Sequence, residues 1–158
     1  MSKHSLDLRG DQENPRRIGA SELHKLPRAE VSTTDPLYSG KDIVYSGTPF
    51  VEVLKAGGLS LGSGKAGIRE IVTMTVCIEA ADGHRAVFSL AELCPDFFDR
   101  VTLLADTKDK QPLPPGEGPF RIIAPSDKLR GRWVCQVKEV TVDCPDRRRR
   151  LRLLVDQE

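Results

Sequence analysis

IVTMTVCIEAADGHRAVFSLAE, residues 71–92, carries the reading of the fold. Ile71 to Glu79 is apolar and rich in β-branched residues, as expected of the longest strand of a sheet. Asp82-Gly83 is a type I′ hairpin signal, so His84–Phe88 returns beside it as a second strand. Ser89-Leu90-Ala91-Glu92 then has the capping-box spacing, a hydroxyl and a carboxylate three residues apart, and opens a brief helix ending before Pro95. Strand, tight turn, strand and short helix within twenty-odd residues is α+β patterning, not a βαβ repeat.

The flanks repeat that style. Ser21 is placed to cap a short helix through Leu26, which Pro27 ends. Glu30–Thr34 and Ile43–Tyr45 read as strands around an Asp35–Gly40 loop. Thr48 and Pro49 open a helix whose buried stripe is Phe50, Val53 and Leu54, stopped by Gly57-Gly58. Leu59–Gly67 reads as a loose Gly/Ser loop. Val101–Ala105, Phe120–Ala124 and Trp133–Val142 are further strands, the second preceded by a proline-rich loop from Gln111 to Pro119. The expectation is one α+β domain over residues 1–144, a mixed β-sheet with short helices. An arginine-rich C-terminal tail, 145–158, follows it, with Arg147–Arg150 and Arg152 solvated.

Composition narrows the function classes. The 158 residues suit one self-sufficient core. Lys and Arg number 24 against 23 Asp and Glu, a net charge of +1. That balance, with 5 Phe, 2 Tyr and 1 Trp, argues against a nucleic-acid partner, which needs a basic excess or stacking aromatics. No apolar run reaches the ~18 residues of a membrane span. Met1–Ser5 has no apolar h-region, so no signal peptide is read in the chain.

Several motifs fail on inspection. Gly62-Ser63-Gly64-Lys65-Ala66-Gly67 matches G-x-G-x-x-G in letters, but the glycines follow a helix and precede the Ile71 strand, the reverse of a dinucleotide site. Ala66 stands where a Walker loop needs a hydroxyl. His4, His24 and His84 are scattered, and Ser89 lacks a nucleophile elbow. Asp82 and Asp106 sit at a turn and a strand end, where such residues are common without acting as bases. Cys77, Cys94, Cys135 and Cys144 show neither Cys-x-x-Cys nor zinc spacing. Alternation places Cys77 and Cys135 on apolar strand faces as inert buried thiols, while Cys94 and Cys144, each before a proline, are the candidates for exposure. No self-contained catalytic set is present.

Read in order, the strings Tyr45-Ser46-Gly47-Thr48-Pro49-Phe50, Asp82-Gly83, Phe88 to Leu93, Leu103 to Asp106, Gln111-Pro112-Leu113, Gly118 to Pro125 and Arg132-Trp133-Val134 resemble a known series. It is that of the oxidoreductase molybdopterin-binding domain of the sulfite oxidase family, in its small stand-alone versions. The resemblance runs from about Leu6 to Val142. It implies the fold of that domain, and a cofactor held through its phosphate and pterin ring by basic side chains. Arg121, in Gly-Pro-Phe-Arg, matches the family's cofactor-contacting arginine, and Arg132 a second basic contact across the same cleft. Gly116 replaces the family's Asn. The family's molybdenum-ligating cysteine, which follows its first short strand, has no counterpart in Val31–Asp35.

A hydroxyl or carboxylate is a poor replacement for thiolate at that metal. Two readings stay open. One is a molybdopterin-binding domain, degenerate or dependent on a partner for redox chemistry. The other is a non-catalytic module using the cleft for another phosphate-bearing anion or a protein partner. The resemblance also implies a bacterial periplasmic location if a signal has been removed.

Overall fold

The protein is described by a computed structural model covering residues 15–34, 40–61, 64–145 and 149–157. The Asp35–Gly40 loop, apart from Gly40, lies outside the described residues, as do Gly62, Ser63, Arg147 and Arg148. Two five-stranded sheets, not one, are formed by the described residues. In the first, β1 (Arg16–Ile18) runs parallel to β10 (Arg149–Val155). Outward from β10 come β9 (Val137–Cys144), β4 (Thr75–Ala80) and β5 (Arg85–Ser89), all antiparallel. In the second, β2 (Ala29–Thr34), β3 (Asp42–Pro49) and β6 (Leu103–Lys108) lie side by side. The far edge of β6 is shared by β7 (Gln111–Pro112) and β8 (Arg121–Ile123).

The helices are short: α1 (Ala20–Leu23), α2 (Phe50–Ala56), α3 (Gly64–Ile71) and α4 (Leu90–Leu93), with a 3₁₀ turn at Arg130–Arg132. The capping box stands as read. The Ser89 hydroxyl accepts from the Glu92 amide, and the Glu92 carboxylate from the Ser89 amide at 2.8 Å. Pro49 precedes rather than opens α2, and the Thr48 hydroxyl reaches the Leu23 carbonyl at 3.5 Å instead of capping it. Phe50, Val53 and Leu54 are fully buried, each worth about 1.5–3 kcal/mol of burial.

Four expectations are corrected. The C-terminal segment is not a solvated tail: Leu151, Leu153 and Val155 are buried at period two, and β10 is inserted between β1 and β9. The run of arginines hid that alternation, because Arg150 and Arg152 flank the inward Leu151 and Leu153. The Gly/Ser loop ends early, since α3 starts at Gly64 and consumes Ile71 before β4 begins at Thr75. The turn at Asp82 is also not type I′. Only Gly83 has positive φ there, and the Asp82 carboxylate holds the His84 amide at 3.0 Å. The pair with positive φ is Asp109 (49°) and Lys110 (67°), joining β6 to β7. Asp109 tolerates this because its amide and carboxylate bond the Val44 carbonyl and amide, at 2.7 and 2.9 Å.

The thiols are reversed as well. Cys94 and Cys144 are buried, whereas Cys77 and Cys135 are half-buried. Cys77 faces outward on β4, and residues 133–136 are not in a strand, so alternation does not apply to Cys135. Backbone bonds then join the two sheets: the Ile122 amide donates to Val134 and the Val137 amide to Phe120, at 2.9 and 3.0 Å. Arg121 follows Phe120 at that seam, and both Arg121 and Arg132 are partly exposed.

Candidate functional site

Strand register assembles the group around Arg121. Arg121 on β8 lies opposite Ala105 on β6, which lies opposite Gly47 on β3. Two residues along β3, Tyr45 is paired with Lys108. The Arg121 guanidinium therefore donates to Glu117 at 2.7 Å, to the Tyr45 hydroxyl at 3.3 Å and to the Trp133 carbonyl at 3.3 Å. Lys108 donates to the other Glu117 oxygen at 3.0 Å. Tyr45 and Trp133 meet edge to face, with ring centroids 6.1 Å apart. Arg130 stacks over Trp133 at 4.2 Å from the ring centre.

Glu117 is thus the anion of a cluster with two cations. Its burial would raise its pKa, but the bonds from Lys108 and Arg121 outweigh that and hold it below the ordinary carboxylate value. Burial pushes the Tyr45 phenol up, against the nearby Arg121 charge. Cys135 shares the same corner: its thiol lies 4.0 Å from the Trp133 carbonyl that Arg121 also uses, and burial raises its pKa. Cys135 is thus a thiol beside Arg121. Tyr45, Lys108, Glu117 and Cys135 escaped sequence reading because their sequence separations conceal one shared corner.

Arg132 is placed elsewhere. Its Nε and Nη2 grip Asp127, both at 2.8 Å, while Nη1 and Nη2 grip Glu92 at 3.1 and 3.0 Å. Nη1 also donates to the Val87 carbonyl at 3.1 Å, and the guanidinium stacks on Phe88 at 4.0 Å. These five bonds match the five donors of a guanidinium. Arg121 and Arg132 share no partner in these contacts. Arg132 would have to give up a carboxylate before it could take a phosphate-bearing group, whereas Arg121 spends Nε and Nη1 on Trp133, Tyr45 and Glu117. Gly116 is open: a Cβ there meets nothing within 4 Å. Among the described residues, no three His, Cys, Asp or Glu side chains converge as a metal site requires.

A cleft of about 570 Å³ lies nearby, between α1 and the proline-rich segment. Pro112, Leu113, Pro119 and Phe120 form its apolar wall, and His24, Arg28, Asp106 and Lys110 its polar one. Arg28 bonds Asp106 bidentately, at 2.7 and 2.9 Å, and His24 Nε2 lies 3.3 Å from the same carboxylate. Burial would raise Asp106, but the Arg28 bonds prevail and its pKa is lowered. With both oxygens engaged, Asp106 is a structural anion, not a base awaiting a proton. No helix among the described residues is long and apolar enough to cross a membrane. No protein-family model and no curated protein matches the chain.

Proposed function

We propose that the chain is a non-catalytic binding module on a fold of the sulfite oxidase molybdopterin-binding type. The ordered strings from Tyr45 to Val134 support the fold type. The observation that carries the function is Arg132, whose guanidinium is spent on two carboxylates and a carbonyl that hold the protein together. Binding then falls to the cleft beside Phe120, whose apolar wall is not consumed by internal pairing. The test is expression in a host that makes molybdopterin, followed by metal analysis and detection of the fluorescent pterin oxidation product. The expected content is far below one molybdenum per chain. A near-stoichiometric content with redox activity overturns the proposal.

One observation favours the molybdopterin-binding reading as the second. Glu117 is the partner that Arg121 and Lys108 share, with Cys135 beside them. Displacing that carboxylate would release two cations next to a thiol, a setting suited to a phosphate-bearing ligand. Glu117→Gln, analysed in the same host, separates the two readings. Acquisition of pterin or molybdenum by the variant favours the second; an unchanged, near-zero content favours the first.

A further inference from the structure

We infer that the cleft beside Phe120 is a binding site for a small free carboxylic acid with an aromatic or branched aliphatic body. The inference rests on the binding-module reading and names its ligand class. The volume, about 570 Å³, falls within the ~300–1,000 Å³ of small-molecule sites. Leu113 and Phe120 are buried and form a fixed apolar floor, behind the exposed Pro112 and the half-buried Pro119 that complete the wall.

Charge selects the head group. Arg28 and Asp106 neutralise each other through two short bonds. Lys110 then remains on the rim with no ion pair to a described residue, and His24 stands 59% exposed beside it. The lining thus holds one carboxylate, already satisfied, against Arg28 and Lys110. An acid directed at Lys110 places its apolar body on Leu113 and Phe120. The Lys110 backbone is held at the rim by the Asp109-Lys110 turn, both residues at positive φ and Asp109 bonded to Val44. Two other depressions, of about 610 and 780 Å³, suit this ligand less. The first is lined by the Arg150–Asp143 and Arg152–Glu139 pairs, the second by Arg17–Asp156.

The experiment is a titration of the full chain with phenylacetate, phenylacetamide and inorganic phosphate, followed by amide chemical shifts. Phenylacetate is expected to give saturable shifts centred on His24, Lys110, Leu113 and Gly118. Phenylacetamide should bind at the same place roughly two- to fivefold more weakly, the effect of one exposed charge pair. Lys110→Glu should remove that preference, and phosphate alone should not saturate the cleft. Leu113→Ala should weaken both organic ligands, and Lys110→Glu serves alone if that core variant fails to fold. Equal affinity for acid and amide, saturation by phosphate at the cleft, or shifts centred on β4, β9 and β10 would overturn the inference. None of these outcomes bears on the molybdenum content, so the two proposals fail separately.

Discussion

Arg132 and Glu92, forty residues apart, lock together through two hydrogen bonds, Nη1 to Oε2 at 3.1 Å and Nη2 to Oε1 at 3.0 Å. Glu92 is also the carboxylate of the α4 capping box, so one side chain closes a helix start and anchors an arginine. The same guanidinium reaches Asp127 and the Val87 carbonyl on the edge of β5. A helix cap, a sheet edge and a loop are therefore tied at a single point.

Arg132→Ala should destabilise the protein by about 2–3 kcal/mol in urea denaturation. The loss combines several charge-assisted bonds with the removal of the guanidinium from Asp127, while Glu92 keeps its bond from the Ser89 amide, discounted for a side chain 29% exposed. Arg132→Lys should recover only part, because an ammonium cannot make two bidentate pairs. If the alanine variant melts within error of wild type, the cross-link is ornamental.

Acid should unfold the protein through the paired carboxylates. Burial would raise Glu92, Asp106 and Glu117, but bonds from Arg132, Arg28 and the Lys108–Arg121 pair bring each below its ordinary value. For Asp127 and Glu139 the bonds from Arg132 and Arg152 are the largest influence, again downward. A depressed folded pKa means that the unfolded chain binds protons first. The stabilisation is fully present above the ordinary values of 4.5 and 3.8 and is lost as pH falls through the folded values. The urea midpoint should be nearly flat from neutral pH to about 5 and fall steeply below about 4. Glu92→Gln should make that fall shallower; an identical pH profile for the variant would contradict the assignment.

Thiol reactivity should follow burial rather than strand alternation. Cys77, facing outward on β4, should be labelled first in the native protein by a thiol reagent. Cys135 should follow slowly, because burial raises its pKa and leaves less thiolate. Cys94 and Cys144, at 3% and 1% exposure, should react only after denaturation. Peptide mapping of the labelled sites settles the order, and early labelling of Cys144 would show that β10 does not cover it.

Gly47→Ala should be among the most damaging single substitutions. A Cβ there would strike the Leu104 carbonyl and approach the Ala105 Cα within 2.5 Å, where β3 and β6 shift register. Backbone cannot yield as a flexible side chain can, so a loss of roughly 3 kcal/mol or more is expected, beyond ordinary overpacking. Gly131→Ala, where a Cβ meets nothing within 4 Å, should be close to neutral and serves as the control in thermal denaturation.

The features legible in the sequence are those whose physics closes within a few residues. The Ser89–Glu92 capping box, the Phe50–Leu54 buried stripe and the β4–β5 hairpin each depend on neighbours three or four positions away, or across one turn. The order of those local signals likewise determined the class, an α+β chain with short elements. Even so, local signals were outvoted where tertiary bonds supplied the energy. Asp109 and Lys110 form the positive-φ turn without a glycine because Val44, on another strand, holds Asp109. Arg121 and Arg132 are one residue type at two sequence-matched positions, yet their roles depend on partners that only folding delivers. Strand register between β3, β6 and β8 brings Tyr45 and Lys108 to Arg121, and the 3₁₀ turn beside β5 brings Glu92 and Asp127 to Arg132. The sequence alone determined which groups could carry charge; the tertiary structure decided which of those charges was already spent, because pairing depends on distance in space.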